Sequence, residues 1–452
     1  MIVDCFTFAD EFDMLELRLR TLEGIVDRFV LCEAPFTFRG DAKPLHFRAQ
    51  SERFARWRDR IVPLLYPGAP SDNPWLNEWG QRDFLATALA GCAPGDLVLI
   101  GDCDELPDPQ LVARRPAAGR ALVHRMLLAR GFVNRLDSLA YEWPGTRAVA
   151  LADLARFGGP SDLRKAPLAE LESVEGGWHF SSLGDTDALA RKMRAYSHAE
   201  YDVAYYRDRA RLELERTSEG TWVPLDDRFP APLREDRRWA AFVAAEPAPV
   251  DTALARKLAH AHGCLAYVPH GAHAVAVLTH EPGVWREAAA ARPQIGELRV
   301  ATGAESLAAD ANANATTWAV IDGIERYPRG TLATLANAGL PAVVFAANAR
   351  SFEVFQRVVS GHAGFPPGRA VGASELGAEI AAAGYQVATR DRIFSLTLSI
   401  PHAIPPGYEI ALGSFSFSQV EPETFFDFLA RAFVVALAPA SPVSGSAPDE
   451  ND

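Results

Sequence analysis

Two successive α/β domains are the fold class this sequence predicts, and three features predict it. In residues 1–110, short apolar runs rich in β-branched side chains alternate with stretches of helical period. A Pro- and Ala-rich segment, "AAEPAPVD" at 244–251, interrupts that rhythm, and a second strand-and-helix alternation begins beyond it. At 452 residues the chain is also longer than one hydrophobic core usually organises.

The elements follow in order. "MIVDCFTF" reads as a strand, and "EFDMLELRLRTLEGI" as a helix because its apolar residues recur at helical spacing. "VDRFVLCEA" and "RIVPLLYP" read as strands, "EWGQRDFLATALAG" as a helix and "DLVLIGD" as a strand buried on both faces. A helical stretch is expected around "TDALARKMRAYSHAEYDVAYYRDRARLELE". After the linker, "HAVAVL", "GELRVAT", "TWAVIDGI", "PAVVFAAN" and "YQVATRD" are the expected strands. The final "APASPVSGSAPDEND" is small, polar and Pro-rich, which predicts disorder. The expected domains are therefore residues 1–245 and 252–437, with 438–452 as a tail.

With 48% hydrophobic and 23% charged residues, the composition is that of a soluble globular protein. A net charge of -13 without any basic run argues against nucleic acid or an anionic membrane surface as partner. No apolar run reaches spanning length, so no membrane span is expected. Cys5, Cys32, Cys92, Cys103 and Cys264 are scattered and odd in number, which favours reduced thiols over a disulfide framework or a zinc site. "MIVDCFTFADEFD" offers no signal-peptide core, so the expected location is cytoplasmic.

The densest chemistry lies in "DLVLIGDCDELPDP", residues 96–109, where a buried strand runs into Asp102, Asp104 and Glu105. An Asp-x-Asp alone can be a solvated turn or a helix cap. Its position matters more: ligands of open α/β sheets bind beyond the carboxyl ends of the strands. Carboxylates crowded there repel one another, and a hard cation such as Mn²⁺ or Mg²⁺ is the usual compensation.

"DCFTFADEFDMLELRLRTLEGIVDRFVLCEAPFTFRGDAKPLHF", "EWGQRDFL", "GDCDELP" and "GGWHFSSLG…RKMRAYSHAE" occur in an order that resembles glycosyltransferase family 17 over about residues 1–240. The resemblance implies a GT-A fold, a nucleotide-sugar donor with UDP favoured, a divalent metal and inversion at the anomeric carbon. Asp102 and Asp104 would then hold the metal that holds the diphosphate, with His179 of "GGWHFS" completing the shell rather than packing as a core histidine. Gly176 and Gly177 would let backbone approach the ligand. Further donor contacts are expected from Asp4 and Glu33 at strand ends, Lys43 on the following loop, Arg82, Trp178 and Lys192. Glu78, Gln81 and Arg82 share a helix face, which reads either as a surface salt bridge or as a bidentate anion clamp. Arg164, His198 and Glu200 join Lys192 in a second polar set. Inversion needs a general base; Asp185, Glu200 and Glu142 are candidates, and Asp185 is preferred.

"TTWAVIDGIERYPRG…AAAGYQVATRD" resembles the C-terminal half of class I S-adenosylmethionine-dependent methyltransferases, which implies a Rossmann-like second domain. That family needs a glycine-rich turn after its first strand and an acid ending its second. "THEPGVWREA" has only Gly283, and "GELRVAT" ends without an acid, so the domain is expected to be degenerate and not to bind S-adenosylmethionine. It would instead position an acceptor or form a homo-oligomer. The expected function is a metal-dependent inverting transfer of a sugar, N-acetylglucosamine among the candidates, to a glycan or glycoconjugate. The alternatives are a non-catalytic glycan or nucleotide-sugar binding protein and a bifunctional glycosyltransferase-methyltransferase. A phosphohydrolase with Asp102 as nucleophile fits poorly, because "DCDEL" lacks the small hydroxyl residue usual after such a pair.

Overall fold

The computed structural model describes residues 1–247, 250–310, 317–349, 351, 369–394, 410–412, 415–417 and 422–439. Contacts divide the chain into two compact units: Met1–Ala199 with Leu212–Thr252, and Glu200–Arg211 with Ala253–Asp452.

In the first unit the strands are β1 (Ile2–Thr7), β2 (Arg28–Glu33), β3 (Ile61–Leu65), β4 (Leu97–Asp102), β5 (Glu105–Leu106), β6 (Ala121–Arg130), β7 (Arg135–Leu136), β8 (Trp143–Ala150), β9 (Glu172–Ser181) and β10 (Thr221–Trp222). They lie in the order β10-β7-β6-β8-β4-β1-β2-β3, with β9 paired to β5 and β6. Strands β3, β2, β1 and β4 are mutually parallel, and β8 runs antiparallel to β4. β1, β2 and β4 read as largely apolar runs because both of their faces are covered, whereas β3, at the edge of the sheet, is partly exposed. Phe6, Phe29, Leu31, Leu97 and Leu99 pack with Leu15, Leu19 and Leu22 of helix Phe12–Leu22. Val3, Cys5, Val30, Cys32, Val98 and Ile100 pack on the opposite face with Leu85, Leu89 and Leu163. Strands β6, β8 and β9 fall where the sequence pattern suggested none, since Arg, Pro and Gly interrupt their apolar alternation.

In the second unit β11 (Ala274–Leu278), β12 (Glu297–Ala301), β13 (Thr317–Asp322), β14 (Ala342–Ala347), β15 (Tyr385–Ile393) and β18 (Ala432–Pro439) form one sheet, while β16 (Ile410–Leu412) pairs with β17 (Phe415–Phe417). The order is β12-β11-β13-β14-β18-β15, parallel through β14, with β18 antiparallel to both of its neighbours. β18 carries ordered structure to Pro439, past the expected start of the tail, and residues 440–452 lie outside the described residues. Among the described residues no helix is long and apolar enough to cross a membrane, and the five cysteines are unpaired.

Segment Glu200–Arg211 belongs to the second unit although its sequence continues the first. The Tyr205 hydroxyl lies 3.0 Å from His260 Nδ1. The Tyr206 hydroxyl donates to the Phe394 carbonyl at 2.7 Å and accepts from its amide at 3.1 Å. Asp208 pairs with Arg292. Gly263 is required beneath this segment, because a Cβ there would stand 2.5 Å from the Tyr205 ring. We therefore expect a fragment starting at residue 200 to melt cooperatively and one starting at residue 253 to fail to. Equal melting transitions would mean that the segment only rests on the unit.

Candidate functional site

The site is built around the turn that follows β4. Arg18, wholly buried on helix Phe12–Leu22, reaches Asp4 through Nε and Nη2, both at 2.7 Å. Its Nη1 donates to the carbonyls of Asp102 at 2.9 Å, Cys103 at 3.4 Å and also Glu105. One planar fork thus ties the first strand, the first helix and the Asp102–Glu105 turn together. Asp4, expected to grip a nucleoside, is instead fully buried with both oxygens on Arg18.

With its backbone so held, the turn presents its carboxylates to cations from other elements. Asp102 Oδ1 accepts from Arg82 Nη2 at 2.7 Å and Oδ2 from Arg164 Nη2 at 3.1 Å. Asp104 Oδ2 accepts from Lys192 Nζ at 2.9 Å, and Oδ1 stands 3.4 Å from His179 Nε2. Glu105 is fully buried: Oε1 accepts from Trp143 Nε1 and Arg164 Nη2, each at 2.9 Å, and Oε2 from Arg164 Nη1 at 2.9 Å. Arg82 is also held by Glu78 at 2.8 Å and is buried, so the Glu78–Arg82 pair is no surface salt bridge.

Burial pushes both aspartates upward, but the cations outweigh it. Arg82 and Arg164 bring Asp102 down to about 2, and Lys192 and His179 hold Asp104 well below the usual carboxylate range. A carboxylate whose folded value is depressed adds stability that is complete above its unfolded value of about 4 and is lost as pH falls through the folded one. Stability to urea is therefore expected to drop between about pH 4 and pH 2. Arg164→Gln, which removes one guanidinium from Asp102, should make that loss smaller and end it at higher pH; superimposable profiles would refute the pairing.

His179 lies on β9, opposite Glu105 on β5. Its ring stands 4.3 Å from that of Trp143, and its buried Nδ1 has no hydrogen-bond partner among the described residues. Trp178, expected at the donor, points into the hydrophobic core beside Phe180 at 6.4 Å. Gly176 and Gly177 serve packing rather than ligand approach. A Cβ on Gly177 (φ +102°) would meet the Leu106 carbonyl at 2.4 Å, and one on Gly176 would meet Leu111 Cδ1 at 2.4 Å.

The remaining predicted residues occupy defined local roles. Glu33 caps the short helix His46–Ala49 through the amides of His46 and Phe47 and receives Lys43 Nζ at 3.4 Å. Asp185 is exposed and caps helix Thr186–Ala195, the helix that carries Lys192, by accepting from Ala188 N at 2.8 Å. Glu142 is exposed, and Glu200 falls in the segment grouped with the second unit. The structure therefore gathers Asp102, Asp104, His179, Arg82 and Lys192, and leaves Asp4, Glu33, Lys43 and Trp178 in structural contacts. Among the described residues, no group of three or more His, Cys, Asp or Glu side chains is close enough to hold a metal ion.

Sequence reasoning assigned no role to Arg18, Trp143 or Glu11. Burial pushes the Glu11 carboxyl upward, with Lys192 opposing and Asp104 reinforcing the shift, so it belongs to the same electrostatic neighbourhood. Nothing in the local pattern around these three residues signals a site. Glu105 sat within the acidic triplet but had no distinguishing mark.

Residues 1–213 match the family model for glycosyltransferase family 17. The β-1,4-mannosyl-glycoprotein 4-β-N-acetylglucosaminyltransferases of Rattus norvegicus and Homo sapiens are each 30% identical to this chain over 115 residues, 24% of its length. Those stretches are 21% and 22% of the two proteins, so the chain spans about a fifth of the length of the curated relatives it matches. A solved complex between the Haloferax volcanii Trm112 methyltransferase activator and a methyltransferase covers 39% of this chain and 88% of that one at 15% identity. Its TM-score of 0.22 is too low to bear on the fold. The match over 1–213 includes the β4 turn, the helix that clamps it and the strand that faces it, so the part of the chain that is similar to glycosyltransferase family 17 is the part that carries the site.

Proposed function

We propose that the protein transfers a sugar from a nucleotide-sugar donor, with UDP favoured, to a glycan or glycoconjugate, by inversion on a GT-A framework. The observation that carries this reading is the end of β4, where two aspartates on a clamped turn face Arg82, Arg164 and Lys192. Such a set suits a diphosphate leaving group: the cations meet its growing negative charge and the carboxylates fix the cations in place. In the reaction the acceptor oxygen bonds to the anomeric carbon as the bond from that carbon to the diphosphate oxygen breaks, and the acceptor proton passes to a carboxylate. Asp185 is the base of this reading; Oδ1 is on Ala188 N, and Oδ2 is uncommitted among the described residues.

Two carboxylates and an imidazole suit a hard divalent cation in kind, although among the described residues they do not stand close enough together to hold one as they are. Asp102 and Asp104, with His179, would hold Mn²⁺ or Mg²⁺, which would supply Lewis-acid neutralisation of the diphosphate. Arg82, Arg164 and Lys192 compensate the same carboxylates within the protein itself. Calorimetric titration with UDP- and GDP-sugars, with and without Mn²⁺, tests the donor. Slow release of free sugar from the bound donor separates a transferase from a binding protein, and binding without any hydrolysis or transfer would favour the latter.

We read the second unit as a Rossmann-like, methyltransferase-type module without a working cofactor site. Its mainly parallel sheet supports the fold. At the strand ends, Asp322 is already engaged by Thr279 Oγ1 at 2.8 Å, Trp285 Nε1 at 3.1 Å and His260 Nε2 at 3.1 Å. We expect no thermal shift with S-adenosylmethionine or S-adenosylhomocysteine. A shift that is lost in Asp322→Ala would make the protein bifunctional.

A further inference from the structure

Helix Phe12–Leu22 carries Arg18 toward the β4 turn on one face and a second set of charges on another. Glu16 and Arg20 each stand two residues from Arg18, about 200° around the helix axis, and Asp13 precedes Glu16 by one turn. Asp13, Glu16 and Arg20 form one wall of a cavity of about 470 Å³. The 3₁₀ segment Ser51–Trp57 supplies a second wall: Phe54 and Trp57 anchor it in the core, and Arg53 and Arg56, each next to an anchor, line the cavity. Arg238, from the 3₁₀ segment Arg237–Phe242, completes the lining. Three separate elements therefore bring guanidinium groups to one concave space.

Glu16 organises these groups. Its buried carboxylate accepts from Arg20 Nε at 2.9 Å, from Arg53 Nε at 3.2 Å and Nη2 at 3.0 Å, and from Arg238 Nη1. Burial pushes the Glu16 carboxyl upward, but the bonds from Arg20 and Arg53 and the charge of Arg238 bring it below its ordinary value, so it stays ionised. One guanidinium would be enough to tie two elements together through Glu16; three on one carboxylate repel one another. Asp13 takes a further bond from Arg53, while Glu23 and Asp236 hold Arg56 at 2.7 Å and Arg238 at 2.6 Å. These bonds fix the forks without exhausting them. Among the described residues, Nη1 and Nη2 of Arg20, Nη1 of Arg53, Nε and Nη1 of Arg56 and Nη2 of Arg238 have no acceptor. All four side chains are reachable, with exposures between 25% for Arg20 and 60% for Arg56. In a chain of net charge -13, this lining sets four guanidinium groups against two carboxylates.

We propose that this cavity binds the phosphate group of a small phosphorylated molecule, at a site separate from the β4 turn. A phosphate group brings about two negative charges and several terminal oxygens that accept from different directions, which matches forks arriving from three elements. A carboxylate offers one charge and two oxygens in a single plane, so it would answer fewer of them. The cavity has the volume of a small-ligand site, and Glu16 holds the donors in place before the ligand arrives. The proposal does not rest on the glycosyltransferase reading, since none of these residues faces Asp102 or Asp104.

The test uses the full-length protein in EDTA, with inorganic phosphate, glucose 6-phosphate and acetate as calorimetric probes at low salt. Both phosphates are expected to saturate one site, and acetate to bind at least about tenfold more weakly. Tighter binding of glucose 6-phosphate than of inorganic phosphate would support an ester as the occupant, and equal binding would support the free ion. Arg56→Gln leaves every bond to Glu16 in place, and Glu23 keeps Trp57 Nε1 at 2.7 Å, so the fold should hold. Arg56→Gln and Arg238→Gln are each expected to weaken phosphate binding about fivefold or more. Arg58→Gln, which removes an exposed arginine paired with Glu52 outside the lining, should stay within about twofold. Absence of saturable phosphate binding, acetate binding as tight as phosphate, or wild-type affinity in Arg56→Gln and Arg238→Gln would overturn the proposal. So would an equal loss in Arg58→Gln, which would reduce the effect to diffuse attraction. Mn²⁺-dependent UDP binding is measured in parallel and should be unchanged in Arg56→Gln; its loss there would refute the separation of the two sites.

Discussion

Replacing Arg18 with methionine is expected to destabilise the first unit by about 3–5 kcal/mol, the cost of leaving a buried carboxylate without its partner. Arg18 and Asp4 are both fully buried and joined at 2.7 Å through two bonds. Methionine fills part of the guanidinium's volume but cannot answer Asp4 or the carbonyls of Asp102, Cys103 and Glu105. The double variant Arg18→Met/Asp4→Leu should recover part of the loss, since no unpaired charge remains, but not all of it, because the carbonyls stay unsatisfied. Urea unfolding of the two variants measures both terms. A loss below about 1 kcal/mol in the single variant would mean that water or a neighbouring cation takes over the role of Arg18.

Asp104→Asn is expected to abolish Mn²⁺-dependent nucleotide binding and to leave the fold intact. The amide keeps the shape of the carboxylate but carries no charge, so it is a far weaker ligand for a hard cation. Lys192, released from its 2.9 Å contact, is 35% exposed and can be solvated in place, so the stability lost should not exceed what protonation of Asp104 costs and the fold should persist. Calorimetry with UDP, with and without Mn²⁺, alongside a thermal melt, checks both halves of the expectation. His179→Ala should weaken the same binding, and normal affinity with a large stability loss would return His179 to the core. Unchanged affinity of Asp104→Asn in both conditions would remove Asp104 from the donor site.

The strand-end position of Asp102 and Asp104 was legible because β4 is buried on both faces and so writes itself as "LVLI", a local signal. The same holds for β1, β2, β11, β13 and β14, whereas the "GGWHFS" motif was legible only through the family resemblance. β6, β8 and β9 were hidden, since a strand that carries Arg125, Pro144 or two glycines relies on its sheet partners rather than on its own pattern. What each polar residue does was decided only in three dimensions. Asp4, Glu33 and Lys43 look like ligand groups in one dimension, yet Asp4 is spent on Arg18, 14 residues away, and Glu33 on the amides of His46 and Phe47. Arg18 itself reads as one more charge on an amphipathic helix, and only the packing of that helix against β1 and β4 aims it at the turn. Segment 200–211 continues the first unit in sequence but joins the second, because the space that accepts Tyr205 is made by Gly263, a residue without a Cβ. Periodicity reports what a segment buries. The partner of a buried charge is set by folding, which brings distant residues within hydrogen-bond reach and leaves no water to take their place.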